Sequence, residues 1–288
     1  MRIFLPPYLS ARTIYSVIGQ VLSETNALRA DRFSFDLSPL IAVEPAGVAA
    51  FAALVEWIRL RESICVLAPG TCAPNEPVAL TLRRIGFFPR VLHHPVAFSA
   101  PPDTHWMPLA IVPPEASGRM LAEDVLPWIA ARSGVSRFAV EWNLSSLGAL
   151  FTPVTEPTRQ PFFVVGRIDP QRARLELAVA AWPAHAEVAR ADRHEGKSAF
   201  DQLLAGLSDQ VVGWFALHEG WQIATAVPDG IHRVRSTYPA PVAYPGRLFD
   251  LVIDLTAFSI QPMLNEPSEP VTVPWTYALS VLESGGPA

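Results

Sequence analysis

The chain has 288 residues, 50% hydrophobic and 17% charged, a composition that suits two folded domains and excludes a disordered chain. Its net charge of −5 comes with arginines scattered at Arg83-Arg84, Arg172, Arg174, Arg233 and Arg235, which argues against a nucleic-acid partner needing a basic stripe. No apolar run reaches the roughly 18 residues of a membrane helix. The opening Met1-Arg-Ile-Phe-Leu-Pro-Pro7 lacks the order of a signal peptide. Cys65 and Cys72 are the only cysteines and give neither a disulfide framework nor a zinc spacing. The expectation is a cytoplasmic protein with no cofactor, no metal site and no membrane insertion.

Taken in order, Ser10 is placed to cap a helix with Ile14, Val17, Ile18, Val21 and Leu22 on one face. Arg32–Leu37 reads as a strand. A second helix starts near Gly47, with Val48, Phe51, Leu54, Val55 and Ile58 aligned. Ser63–Ala68 reads as a short buried strand, and Asn75-Glu-Pro-Val78 opens a third helix that ends before Gly86. This β-α-β-α order implies a small α/β layer domain over residues 1–92. Residues 93–116, with Pro95, Pro101, Pro102, Pro108, Pro113 and Pro114, read as a linker.

In the second region, 117–260, Gly118–Ile129 reads as helical with a kink or break at Pro127, and Val140–Phe151 as a further helix. Phe162–Ile168 and Arg174–Val179 form a hairpin about Asp169-Pro-Gln171. Trp221–Val227 and Ile231–Arg235 form another about Pro228-Asp-Gly230. Leu248–Leu255 is a final strand on which Asp250 and Asp254 share a face, expected to look into solvent. Residues 261–288 form a tail in which Val271–Leu282 is a candidate last strand or helix. The expected architecture is α/β followed by α+β: a small layer domain, then helices on one face of an antiparallel or mixed sheet.

The strand, turn and amphipathic helix at Phe35–Gly47 resemble the STAS (anti-anti-sigma-factor-like) domain. In that family a strand leads into an Asp-Ser-x-Gly turn whose serine is phosphorylated to switch partner binding. Here the turn is Glu44-Pro45-Ala46-Gly47, so no hydroxyl stands at the matching position, and Ser38-Pro39 reads as a turn former. Glu44, Pro45 and Ala46 are candidate partner-binding positions on this resemblance.

The order helix, hairpin, helix, hairpin, strand resembles the GHKL (histidine-kinase-like) ATPase fold. The family's Glu-Leu-Phe-x-Asn-x-x-x-His box corresponds to Ala149-Leu-Phe-Thr-Pro-Val-Thr-Glu-Pro157. Leu150 and Phe151 remain, while Ala149 stands for the acid, Pro153 for the magnesium-binding asparagine and Pro157 for the histidine. The Asp-x-Gly-x-Gly box corresponds to Ala181-Trp-Pro-Ala-His185. Ala181 carries no acceptor for the adenine amino group, Pro183 has a fixed φ and no N–H, and His185 replaces a glycine. A late Pro-Gly survives as Pro245-Gly246. Losing one buried hydrogen bond costs about 1–3 kcal/mol, and the metal ligand and close backbone approach are lost as well.

The two resemblances imply a bacterial regulatory or scaffold protein acting through protein partners, alone or in a larger assembly, with a pseudo-ATPase domain. Trp182, Trp214 and Trp221 cluster about the altered pocket in this reading and are further candidate partner-binding residues. The alternative is an enzyme or small-molecule binder that reuses the pocket through His185, Asp192, His194 and Lys197. Ala191–Ser198 misses the P-loop pattern at its first residue and reads as a solvated loop.

Overall fold

The computed structural model describes residues 1–23, 27–68, 76–91, 105–144, 161–181, 211–218, 221–226, 234–239 and 247–259, the three segments between 211 and 239 as backbone. The chain opens with β1 (Arg2–Phe4), β2 (Tyr8–Leu9) and α1 (Ile14–Val21). Ile14, Val17, Ile18 and Val21 are buried, as their spacing requires. Thr13, not Ser10, is the residue that precedes α1; Ser10 opens the turn before it, its carbonyl accepting from Ile14 N–H at 3.1 Å and its hydroxyl from Thr13 N–H at 3.3 Å.

Next come β3 (Arg32–Asp36), β4 (Ala42–Val43), α2 (Pro45–Leu60) and β5 (Ile64–Leu67). Strands β1, β3 and β5 form a parallel sheet in that order, and β2 pairs with β4 as a short parallel ribbon. Asp36 ends β3 and accepts from both the N–H and the hydroxyl of Ser38, at 3.0 and 2.6 Å, so Ser38 is held in the turn expected of it. Helices α3 (Glu76–Arg84) and α4 (Phe87–Val91) follow; α4 lies where the sequence pattern showed only an end.

Helix α2 is the centre of the molecule. Pro45 to Val55 are buried without a break, because the helix is covered on opposite sides. One side meets α1, α4 and β5, and the other meets β7 (Phe162–Asp169), β8 (Arg174–Ala181) and β12 (Arg247–Asp254) of a larger sheet. Small residues at Ala46, Gly47, Ala49, Ala50, Ala52 and Ala53 allow that double approach. At Gly47 the approach is backbone to backbone: a Cβ there would stand 2.3 Å from the Leu9 carbonyl oxygen. Phe51 meets Phe35 edge-on at 5.0 Å and stacks with Phe87 at 5.8 Å.

Among the described residues the larger sheet has seven antiparallel strands. Between α4 and β7 the chain adds β6 (Ala110–Val112) and the helices α5 (Ser117–Met120), α6 (Leu126–Ser133) and α7 (Arg137–Asn143). After β8 come β9 (Val211–His218), β10 (Trp221–Ala226) and β11 (Val234–Pro239), and the strand order is β11-β10-β9-β12-β8-β7-β6. The last strand among the described residues, β12, therefore fills the centre between two meanders.

Several expectations need correction. Residues 105–112 are not linker: Met107 N–H donates to the Gly166 carbonyl, Ile168 N–H donates to the His105 carbonyl, and β6 pairs with β7. Strand β9 was not anticipated. The sheet has helices on both faces, α5 to α7 on one and α2 on the other, rather than on one alone. The second helical candidate starts earlier than Val140, since Ser136 caps α7 by accepting from Ala139 N–H at 3.2 Å. At Pro127 the helical run continues but changes type, and α6 carries Pro127 in its first turn. A π-helical turn over Leu121–Val125, in which Leu126 N–H reaches the Leu121 carbonyl, absorbs the missing N–H.

Candidate functional site

The alternating residues of the central strands separate into two chemistries. On the face toward α5 to α7, Phe162, Val164, Leu177, Val179, Phe249 and Leu251 form an apolar core. On the face toward α2, Phe163, Val165, Ala178, Ala180 and Leu248 join the core of the N-terminal unit. The same face then turns polar, with Arg167 on β7, Glu176 on β8 and Asp250 on β12.

Register fixes this cluster. Arg167 and Glu176 are direct cross-strand partners, and Glu176 is also opposite Val252. Asp250 lies two positions from Val252 on the same face, so it is the diagonal neighbour of Glu176, with Cα atoms roughly 7–8 Å apart. Arg167 Nη2 donates to both carboxylate oxygens of Glu176 at 2.7 Å, and its guanidinium stands 5.5 Å from the Trp106 ring. Arg167 Nε is buried without a partner among the described residues. Glu44, the residue before α2, completes the group from above.

Burial pushes the Asp250 carboxyl up to about 7, and the negative charges of Glu176 and Glu44 add to it against the opposing Arg167. Glu44 is exposed on one side and is raised in the same direction by the partial loss of water on the side that meets the protein, with Glu176 next, while Arg167 and Arg12 counter it. Arg167 is thus in contact with Glu176 alone, and Asp250 and Glu44 feel its charge without a hydrogen bond to it among the described residues. The sequence reading missed this, because Asp250 was expected to face solvent. A signal was present: Leu248 is on its face of the strand, and the paired Arg167 and Glu176 flank the predicted hairpin turn.

Other titratable groups are structural. Burial alone would raise the Asp36 carboxyl, but hydrogen bonds from Ser38 and Arg2 outweigh it and hold the group below its usual range. Burial pushes the Cys65 thiol up to about 11, which makes it a poor nucleophile.

Ala181 ends β8, buried in the apolar core beneath α5 to α7, with Arg247 as its ladder partner. Ala149, Pro153, Pro157, Trp182, Pro183 and His185 lie outside the described residues, as do Asp192, His194 and Lys197. Trp214 pairs in register with Thr225 and Leu251, and Trp221 with His218, so the two tryptophans occupy positions of one sheet face on neighbouring strands. Of the turn Glu44-Pro45-Ala46, only Glu44 is exposed; Pro45 and Ala46 are buried. On α7, Phe138 and Trp142 are 51% and 63% exposed, and their rings stack at 6.2 Å. Among the described residues no group of three or more His, Cys, Asp or Glu side chains could hold a metal ion, and no helix is long and apolar enough to cross a membrane.

Comparison of the chain with protein-family models, with curated proteins and with solved structures finds no match in any of the three.

Proposed function

We propose that this chain is a regulatory or scaffold protein that acts by protein–protein contact, joining a STAS-like unit to a GHKL-like unit that has lost its nucleotide and magnesium chemistry. The observation that carries the reading is the stacked pair Phe138 and Trp142 on α7, two large aromatic side chains more than half exposed on a short helix. Aromatic side chains of this kind are the usual anchors of protein interfaces. Ala181 agrees with the loss of nucleotide binding, since a buried methyl group occupies the position where the GHKL resemblance requires a carboxylate. The partner is a cytoplasmic protein, and the complex is regulatory rather than catalytic.

Two measurements on the full chain test this. Titration calorimetry with ATP and ADP, with and without magnesium, is expected to give no heat up to millimolar nucleotide. Binding at micromolar concentration, or ATP turnover by the pure protein, would overturn the reading. Cross-linking in the native host should trap a discrete complex that Phe138→Ser and Trp142→Ser both lose while the fold, read by circular dichroism, is retained. A complex indifferent to both substitutions would remove α7 as the contact.

A further inference from the structure

Strand β1 is an edge of the three-stranded parallel sheet, far from α7 in sequence, and a single side chain guards it. Ser34 N–H donates to the Met1 carbonyl at 2.8 Å and Leu5 N–H donates to the Asp36 carbonyl at 3.1 Å. Along β1 the backbone groups of Ile3 therefore face β3, and those of Arg2 and Phe4 point the other way. At Phe4 both outward groups are taken by Gln20 of α1. Phe4 N–H donates to Gln20 Oε1 at 2.9 Å, and Gln20 Nε2 donates to the Phe4 carbonyl at 2.9 Å. A side-chain amide here makes the pair of bonds that a neighbouring strand would make. Gln20 Nε2 also donates to the Ser16 carbonyl at 2.9 Å, which holds the amide in place. We propose that β1 is a self-association edge: it pairs antiparallel with β1 of a second copy of this chain, and Gln20 is the latch that must swing out first.

The strand is complementary to itself. In an antiparallel pair centred on Ile3, Arg2 of one copy stands opposite Phe4 of the other, and a two-fold axis repeats the contact. These are the residues whose backbone groups point outward, so each opposed pair exchanges both N–H···O bonds. Every outward donor and acceptor of both strands is then used. The side chains match as well. The Arg2 guanidinium already lies 5.3 Å from the Phe4 ring of its own chain, and across the seam it meets the ring of the second copy. Both side chains are exposed, so neither has to be uncovered. Pro6 and Pro7 have no N–H to donate, and the seam ends where β1 ends. So short a seam buries far less than the roughly 800 Å² per partner of a standard interface. The latched chain is therefore a monomer that pairs only when concentrated.

Opening the latch exchanges like for like. Gln20 releases the N–H and the carbonyl of Phe4, and the incoming strand takes both up again. The gain is at Arg2, whose outward N–H and carbonyl have no partner among the described residues. Against it stands the freedom lost on association. Without Gln20 the incoming strand displaces water from Phe4 instead of an amide. Each dimer removes a latch from both copies, so loss of Gln20 should tighten association by about tenfold or more. The fold does not rest on this residue, since Ile14, Val17, Ile18 and Val21 carry the packing of α1.

Sedimentation velocity over a range of concentrations reads the state of the full chain, as wild type and as Gln20→Ala. The variant should dimerise at concentrations about tenfold lower or more, and equal association of the two would overturn the proposal. Hydrogen exchange of the Arg2 amide locates the seam. That amide should be unprotected in the monomer and become protected as the dimer forms. A dimer that leaves it unprotected pairs elsewhere and rejects β1. Protection that does not change with concentration would mean that a segment of the same chain covers the edge, which also rejects the proposal. Phe4→Pro in the Gln20→Ala background removes an N–H that the seam needs and β3 does not use. It should restore the monomer, and a dimer that persisted would count against the seam. Should Gln20→Ala fail to fold, Gln20→Glu serves instead, because its carboxylate opposes the Phe4 carbonyl. It too should associate more readily than the wild type, and unchanged association would reject the latch.

Discussion

The two faces of the seven-stranded sheet are made from alternate residues of the same strands, yet they bury themselves in different ways. Toward α5 to α7 the side chains are long and apolar, and no described residue of that core cluster carries a charge. Toward α2 the partners are small, with Ala178 and Ala180 on β8 facing a helix of alanines and glycine, and charged groups are retained where the helix begins. The first face gains stability by removing area from water, at about 25 cal/mol per Å² of apolar surface. The second gains it by close approach, and it leaves a polar margin whose energy depends on pH.

The comparison breaks most easily on the apolar face. Phe249 on β12 is 1% exposed in the core beneath α5 to α7. Phe249→Ala is expected to lower stability by about 3–5 kcal/mol, read as a shift of the urea midpoint. A much smaller loss would mean that the helical layer does not depend on this side of the sheet.

Gly47 tests the other face. An added Cβ meets backbone on one side, with the Leu9 carbonyl oxygen at 2.3 Å and Ser10 nitrogen at 2.6 Å, so no rotamer change relieves it. Gly47→Ala should destabilise by about 3 kcal/mol. Gly19 is the control, since on α1 a Cβ meets nothing within 4 Å. Gly19→Ala should be stabilising by up to about 1 kcal/mol through helix propensity. If the two substitutions behaved alike, close approach would not explain the small residues of α2.

The polar margin predicts a smaller effect that changes with pH. Arg167 and Glu176 are 33% and 23% exposed, so their ion pair is partly screened by water. Glu176→Gln is expected to cost about 1 kcal/mol at pH 5. At pH 8 the loss should be smaller, because the substitution also removes a negative charge that opposes ionised Asp250. Parallel denaturation series at the two pH values decide this, and a larger loss at pH 8 would place Asp250 beyond the reach of Glu176.

Sequence pattern showed the local elements and missed the long-range ones, for physical reasons. The β7–β8 hairpin was legible because Asp169-Pro-Gln is turn chemistry between two β-rich runs, and α1 because four apolar residues fall on one stripe. β12 was legible as a strand, yet its place between β8 and β9 is set by pairing across the chain and leaves no local trace. β6 has three residues among prolines, too few to show a period. Asp250 was misjudged for the same reason as β12's position. Alternation identifies which residues share a face, but the cover for that face is α2, almost two hundred positions upstream. Most of the positions that carried the ATPase resemblance lie outside the described residues, and Ala181 alone is placed by the fold.

The smallest expected effect belongs to neither face and calibrates both. Ala173 closes the turn between β7 and β8 with φ of 48°, a left-handed conformation, and its carbonyl accepts from Leu255 N–H at 2.8 Å. The turn before it is fixed by Asp169, whose Oδ1 accepts from Gln171 and Arg172 N–H at 3.0 and 3.2 Å. The conformation is thus imposed from both ends, and alanine carries its strain of about 1–2 kcal/mol. Glycine relieves that strain and loses about 0.5–1 kcal/mol to the unfolded state. Ala173→Gly should therefore stabilise the protein by about 0.5–1 kcal/mol, and Ala173→Val should destabilise it, since a β-branched residue tolerates positive φ least. Because the turn lies outside both cores, Ala173→Gly should add to Phe249→Ala and to Glu176→Gln within about 0.5 kcal/mol. Additivity with the first and failure with the second would mean that the polar margin extends down the β7–β8 hairpin from Arg167 and Glu176 to its turn.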